Sequence, residues 1–257
     1  MDSVSVARTR PGVALVTLRR PAVRNAIDQS TQEQLEALWD ELDDDPTVRV
    51  AVITGDGDQA FCSGVDMKSG LAGLEYWNAE RRGGFAGLST RRLRVPVVAR
   101  VNGLALGGGF ELMLNCDVAV ASTSAWFGLP EARVGRIPLE GGVRHLLRQL
   151  PDKLARWHML TGELISAESA LRWGLVNRVV PAEELDAAVD EVIDALLAAA
   201  PLSHEAILEL ATVITEAGVG HVERLGLPAI LRALGSEDAE EGMKAFREKR
   251  PARWSGR

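Results

Sequence analysis

Val101-Asn102-Gly103-Leu104-Ala105-Leu106-Gly107-Gly108-Gly109-Phe110-Glu111-Leu112 is an apolar run that ends in three glycines and passes into a helix with a carboxylate in its first turn. Glycine has no Cβ, so the backbone can take unusual dihedrals and a ligand can sit directly against an amide. The first N–H groups of a helix lack intrahelical partners, and that end of the helix is partly positive. An exposed N–H there can hold a developing oxyanion. Glu111 follows Gly108 by three residues, so one short turn can supply both an oxyanion donor and a base. The alternative is a glycine-rich strand-to-helix turn packed tightly against its neighbours, because glycine motifs occur widely.

Two further stretches bear on that choice. Phe61-Cys62-Ser63-Gly64-Val65-Asp66-Met67 reads as a second turn leading into a helix. Glu131 lies twenty residues beyond Glu111, after Phe127-Gly128-Leu129-Pro130. A carboxylate beside Phe, Leu and Pro is poorly placed for solvation; burial would raise its pKa and suit it to proton transfer. Alternatively Glu131 is an acid at a helix start or an ion-pair partner of Arg133 or Arg136. Two carboxylates with two backbone N–H donors form a kit for adding or removing a proton beside a polarised carbonyl.

Outward from these turns the pattern alternates strand and helix. Val4, Val6 and Val13–Leu18 form a hairpin around Pro11-Gly12. Arg19, Arg20 and Arg24 form a basic loop, either solvated or in contact with phosphate. Apolar residues at 35, 38, 39 and 42 have helical spacing, with Thr31 as N-cap and Asp28 or Ser30 as alternatives. Val48–Thr54, Val95–Val101, Asp117–Ala121 and Leu175–Val180 are predicted strands. Residues 109–115, 140–150, 152–160 and 166–172 are predicted helices, and Pro181 is expected to open a helix running to about Ala199. Residues 68–94 carry a weak signal that suggests a mobile helical segment or lid. Beyond Pro201 only helical patterns remain, to about Arg247, followed by a tail. Amphipathic helices at the end of a chain often bury their apolar face on another subunit.

The 257 residues, 46% hydrophobic and 25% charged, are ordinary for a globular protein and suffice for a sizeable core. A net charge of −7 without a basic block gives no footprint for nucleic acid. No apolar run approaches the ~20 residues of a spanning helix. The first residues carry no secretory pattern, and Cys62 and Cys116 match no metal or redox spacing; the expectation is a cytoplasmic protein with reduced thiols, no metal and no membrane partner. The glycine run fits neither a dinucleotide fingerprint nor a Walker loop, and Phe61 stands where a nucleophile elbow needs glycine. The four histidines show no paired ligand spacing.

Asn102-Gly103-x-Ala105-x-Gly107-Gly108-Gly109-x-Glu111-Leu112 resembles the signature of the enoyl-CoA hydratase (crotonase) superfamily. Arg24-Asn25-Ala26, Phe61-Cys62-Ser63-Gly64-x-Asp66, Phe127-Gly128-x-Pro130-Glu131, Gly141-Gly142, Thr161-Gly162 and Ala170-x-x-x-Gly174-Leu175-Val176 follow in family order over nearly the whole chain. Leu129–Ala132, Ala170–Gly174 and Phe246–Arg257 are most similar to the carnitinyl-CoA dehydratase branch.

The resemblance implies an α/β fold, a ClpP-like spiral of ββα units (residues 1–195), with an all-helical trimerisation region (196–257). It implies a homotrimer or a dimer of trimers. It implies that the N–H groups of Val65 and Gly108 hold the thioester oxygen. The residue matching Glu111 assists addition of water at C3, and the one matching Glu131 exchanges the proton at C2. Arg24, Ala26, Ser63, Gly64, Asp66, Met67, Lys68, Gly107 and Pro130 would line the acyl-CoA site. Coenzyme A would enter as part of the substrate, with no other cofactor. The expected reaction is reversible syn hydration of a 2-enoyl-CoA; the alternatives are a carnitinyl-CoA dehydratase-like activity or double-bond isomerisation. Leu139-Glu140 departs from the Gly-Ala of many hydratases, and leaves Glu140 one step from the third acid of dienoyl-CoA isomerases.

Overall fold

The hairpin expected around Pro11-Gly12 opens the fold. Strand β1 (Val4–Arg10) runs antiparallel to β2 (Val13–Leu18), with Val4 opposite Leu18 and Arg10 opposite Val13. The computed structural model describes residues 2–68, 82–218, 221 and 225–257. Helix α1 (Gln29–Asp44) follows, and Asp28 caps it by accepting the N–H of Thr31 at 2.9 Å. Thr31 is therefore inside the first turn rather than the cap. Leu35, Trp39 and Leu42 are fully buried at helical spacing, and Leu35 and Leu42 each contribute roughly 2 kcal/mol on burial.

From here the chain alternates between two sheets. β3 (Val50–Gly55) leads to β4 (Ala60–Cys62), β5 (Val97–Val101) to β6 (Leu104–Leu106), and helix α2 (Gly108–Leu114) to β7 (Val118–Ser122) and β8 (Trp126–Gly128). Helices α3 (Gly142–Gln149) and α4 (Asp152–Thr161), strand β9 (Ile165–Ser166), helix α5 (Ala167–Arg172) and strand β10 (Arg178–Val180) complete the α/β part. The larger sheet has the order β1-β2-β3-β5-β7-β10, and the smaller has β4-β6-β8-β9. Successive turns thus place one strand in each sheet, the spiral of ββα units expected from the resemblance.

The larger sheet is covered on both faces, so β3 is buried throughout. Side-chain alternation assigns its residues. Ala51 and Ile53 face the main core with Trp39, Phe61 and Phe110. Val50 and Val52 face helix α6 (Leu185–Leu197) through Leu185, Val189 and Ile193.

Helices α7 (Pro201–Ala217), α8 (Leu227–Leu234) and α9 (Glu237–Glu248) follow. Residues 250–257 fold back: the Trp254 indole N–H donates to Ala198 O at 2.8 Å, and Asp238 accepts the N–H groups of Ser255 and Gly256. Leu231, Leu234, Met243 and Phe246 stand more than half exposed on the outer helices. Among the described residues no single helix is long and apolar enough to cross a membrane.

Three expectations need correction. The strand predicted from Leu175 begins only at Arg178, because Leu175 and Val176 pack into the core from a turn. The helix predicted from Pro181 starts at Leu185, after a short 3-10 turn at Ala182–Glu184. Of the predicted lid, residues 69–81 lie outside the described residues. Residues 85–88 are core rather than lid: Phe85 and Ala86 are fully buried, and Ala86 O accepts the Trp39 indole N–H at 2.9 Å.

Candidate active site

Strands β4, β6 and β8 are parallel neighbours, so the chain leaves all three on the same edge of the smaller sheet. Val65 follows β4, Gly108 follows β6 and Glu131 follows β8. Chain order alone separates these residues; sheet order brings them together.

Close backbone contacts fix the first two turns. The Asn102 side-chain amide donates to Gly55 O at 3.0 Å and Gly57 O at 2.7 Å, tying the end of β5 to the end of β3. A Cβ on Gly109 would lie 2.0 Å from Cys62 O, so only glycine lets α2 start against β4. Gly64, at φ +90°, has its would-be Cβ position 3.0 Å from the nitrogen of Gly108. Ile27 pairs beside Val65: its N–H donates to Gly64 O and its carbonyl accepts the N–H of Asp66, both at 2.8 Å. That pattern leaves the Val65 N–H facing away from Ile27. Among the described residues neither Val65 N–H nor Gly108 N–H has a hydrogen-bond partner.

Glu111, on the first turn of α2, is only 3% exposed. Its Oε1 accepts the N–H of Gly142 at 2.8 Å. Burial pushes its pKa up to about 8; the nearby carboxylates of Glu131 and Glu140 add to the rise, and the Gly142 hydrogen bond opposes it. Glu131 opens a 3-10 turn, Glu131–Val134, and its pKa is also raised by burial. Its Oε2 is buried without a hydrogen-bond partner among the described residues. Its Oε1 lies 3.1 Å from where a Cβ on Gly107 would stand. The ion pair considered for Glu131 does not form: Arg133 Nε donates instead to Thr161 O at 2.5 Å. A charge on Glu131 raises the cost of ionising Glu111, so a single proton on the two carboxyls is favoured over full ionisation.

The other predicted residues surround the first turn. Asp66 pairs with Arg20 at 3.0 Å, and Arg20 also pairs with Asp28 at 2.8 Å and donates to Ala26 O at 2.5 Å. One of the three arginines of the basic loop is thus spent on holding the loop. Arg24 is exposed in a left-handed conformation (φ 54°), and Ala26 is buried. Met67 and Lys68 are exposed beyond the turn, while Ser63 Oγ donates to Val23 O at 3.3 Å. Pro130 directly precedes Glu131.

Sequence reading missed two contributors. The Gly142 amide holds Glu111 from 31 residues away; the Gly141-Gly142 pair ahead of α3 was its available signal. Phe85 packs behind Gly108, its Cε1 2.7 Å from where a Cβ there would stand, and nothing local announces it.

Comparison with known proteins agrees with this architecture. The profile of the family described as enoyl-CoA hydratase/isomerase matches residues 8–257. A carnitinyl-CoA dehydratase of Proteus mirabilis is 42% identical over 254 residues, which covers 97% of each chain. The crystal structure of an enoyl-CoA hydratase from Mycobacterium tuberculosis superposes with a TM-score of 0.90 at 30% identity, covering 100% of both chains. That of a carnitinyl-CoA hydratase from Mycobacterium avium gives 0.76 at 38% identity, again over 100% of both. The chain belongs to the enoyl-CoA hydratase/isomerase family.

Proposed function

We propose that this enzyme adds water reversibly across the C2–C3 double bond of a 2-enoyl-CoA thioester, or removes it from a 3-hydroxyacyl-CoA. The observation that carries this reading is the pairing of a buried carboxyl, Glu111, and a half-buried one, Glu131, whose Oε2 is buried, with the unpartnered N–H groups of Val65 and Gly108. Hydration needs a base for the water proton, an acid for C2 and an anion site for the thioester oxygen.

In hydration, Glu111 takes a proton from water as its oxygen bonds to C3. The C2–C3 π electrons shift onto the thioester oxygen, which the two N–H groups hold as an enolate. The enolate then collapses, and C2 takes the proton of Glu131. Dehydration runs the same steps backwards: Glu131 removes the C2 proton and Glu111 protonates the departing hydroxyl. Either direction requires one proton on the pair. Burial raises both carboxyls above the ordinary glutamate range, which favours keeping one proton on the pair.

The 42% identity to a carnitinyl-CoA dehydratase, against 30% to an enoyl-CoA hydratase of solved structure, favours a carnitinyl-type acyl group. Glu140 does not favour isomerisation, because its carboxylate is engaged by Phe85 and Ser89. Coenzyme A would enter with the substrate, over the turn at residues 63–68 and Arg24, and no other cofactor is needed for this chemistry. The exposed apolar residues of α8 and α9 support residues 196–257 as an oligomerisation region of a homotrimer or a dimer of trimers. Two free thiols suit a cytoplasmic setting.

Loss of enoyl-thioester absorbance with crotonyl-CoA and with crotonobetainyl-CoA tests the reading. Glu111→Gln and Glu131→Gln should each abolish turnover while calorimetric CoA binding survives. Full activity in either variant would remove that residue from the mechanism.

A further inference from the structure

We propose that Glu140 is a positioning residue for the oxyanion donor at Gly108, set where its main chain also meets the Glu111 half of the site. The inference rests on the roles given to those two residues above.

Glu140 is 8% exposed. Its Oε2 accepts the N–H of Phe85 at 3.1 Å and the hydroxyl of Ser89. The same N–H lies 2.9 Å from Ser89 Oγ, so carboxylate, hydroxyl and amide meet one another. Phe85 is fully buried, and its ring edge fills the space behind Gly108, with Cε1 and Cζ 2.7 and 2.8 Å from where a Cβ there would stand. Moving Phe85 therefore moves the backbone that carries the Gly108 N–H.

The main chain of Glu140 reaches the other half. Its carbonyl accepts the Asn115 side-chain amide at 2.9 Å, and that amide also donates to Glu111 O at 2.8 Å. Two residues on, the Gly142 N–H holds Glu111 Oε1. The side chain of Glu140 thus supports the turn behind the oxyanion donor, and its main chain meets the end of α2 two residues before the amide that aims the acid.

A buried carboxylate costs desolvation that a small apolar residue would avoid. What it supplies in return is a pair of charge-assisted hydrogen bonds, stronger and geometrically tighter than neutral ones. The Phe85 turn has other supports: Gln32 donates to Gly84 O and accepts the N–H of Ala86, both at 2.8 Å, and Trp39 donates to Ala86 O. The turn should therefore fold without Glu140 but settle with Phe85 less well defined. Misplacement of this kind acts on the transition state more than on binding.

The test compares Glu140→Ala, Glu140→Gln and Ser89→Ala with wild type. The readouts are kcat on crotonyl-CoA and crotonobetainyl-CoA, the Kd for acetyl-CoA, and the absorbance of bound acetoacetyl-CoA enolate, which reports the oxyanion site without turnover. Glu140→Ala is expected to lower kcat about 10- to 100-fold, less than removal of an oxyanion donor, with weaker enolate absorbance. The Kd should stay within about twofold, and Glu140→Gln should recover most of the loss.

Unchanged kcat and enolate signal in a folded Glu140→Ala, or parallel loss of kcat and acetyl-CoA binding, would overturn the inference. If Glu140→Ala does not fold, Ser89→Ala decides: the inference expects lower kcat at constant Kd, and wild-type kcat would overturn it. A wild-type protein with neither turnover nor enolate signal would overturn the proposed function itself. Full wild-type turnover, an inactive Glu111→Gln and an unaffected Glu140→Ala would overturn only the role of Glu140.

Discussion

Replacing Glu111 by Gln should make the protein more stable at alkaline pH while removing its activity. The carboxyl is held protonated by burial and by two neighbouring acids, and titrates at about 8 in the folded state against 4.5 for an ordinary glutamate. Between those values the folded chain carries a proton there that the unfolded chain has lost. Stability therefore falls as pH rises through this window and levels off above it. At ~1.4 kcal/mol per pH unit, the group costs the folded state about 5 kcal/mol at pH 9 relative to pH 4. Glutamine keeps an oxygen to accept the Gly142 N–H but does not titrate. At pH 5 the variant and wild type should melt together, or the variant slightly lower because its NH2 gains an unmet donor. At pH 9 the variant should melt higher, by roughly 10–20 °C given ~2–4 °C per kcal/mol for a chain of this size. Thermal melts of both proteins at pH 5, 7 and 9 measure the difference, in which all other titrations cancel to first order. A difference that does not change with pH, or a variant less stable than wild type at pH 9, would refute the buried, proton-bearing Glu111 inferred from the geometry.

The same titration should appear in catalysis. Because each direction needs one proton on the Glu111–Glu131 pair, kcat/KM for hydration and for dehydration should both decline as pH rises through about 8; a hydration rate still climbing at pH 9 would contradict the shared-proton mechanism. Gly109→Ala tests the seam between the sheets. Its Cβ would stand 2.0 Å from Cys62 O, a backbone atom with nowhere to go, so the variant should lose several kcal/mol of stability or fail to fold, as read by denaturant unfolding and soluble yield.

The larger sheet was legible, its short last strand β10 apart, because its other strands are five- to seven-residue runs rich in β-branched and small residues, as in Val50–Gly55. The smaller sheet was not. Strands of two or three residues, such as Ala60–Cys62, Leu104–Leu106 and Ile165–Ser166, are too short for a period to declare itself. They are held by long-range devices: the Asn102 and Asn25 side-chain amides on backbone carbonyls, and glycines that admit a neighbouring carbonyl. Likewise, the apolar neighbours of Glu131 suggested poor solvation, but could not tell that Arg133 turns away to Thr161. Nothing near Glu111 in the chain points to the Gly142 amide.

The proposed site depends on that less legible sheet. Val65, Gly108 and Glu131 each sit just beyond the end of a short parallel strand, so their spacing is set by the pairing of β4, β6 and β8. A register slip of one residue in β6 would reverse the facing of every side chain on it and carry Gly108 away from Gly64. The glycines at 64 and 109 forbid such slips by their contacts with Leu106, Gly108 and Cys62. Their role is to lock register as much as to expose an amide. The run Gly107-Gly108-Gly109 therefore divides its work: Gly109 fixes the strand seam, Gly108 offers the N–H, and Gly107 leaves room for Glu131.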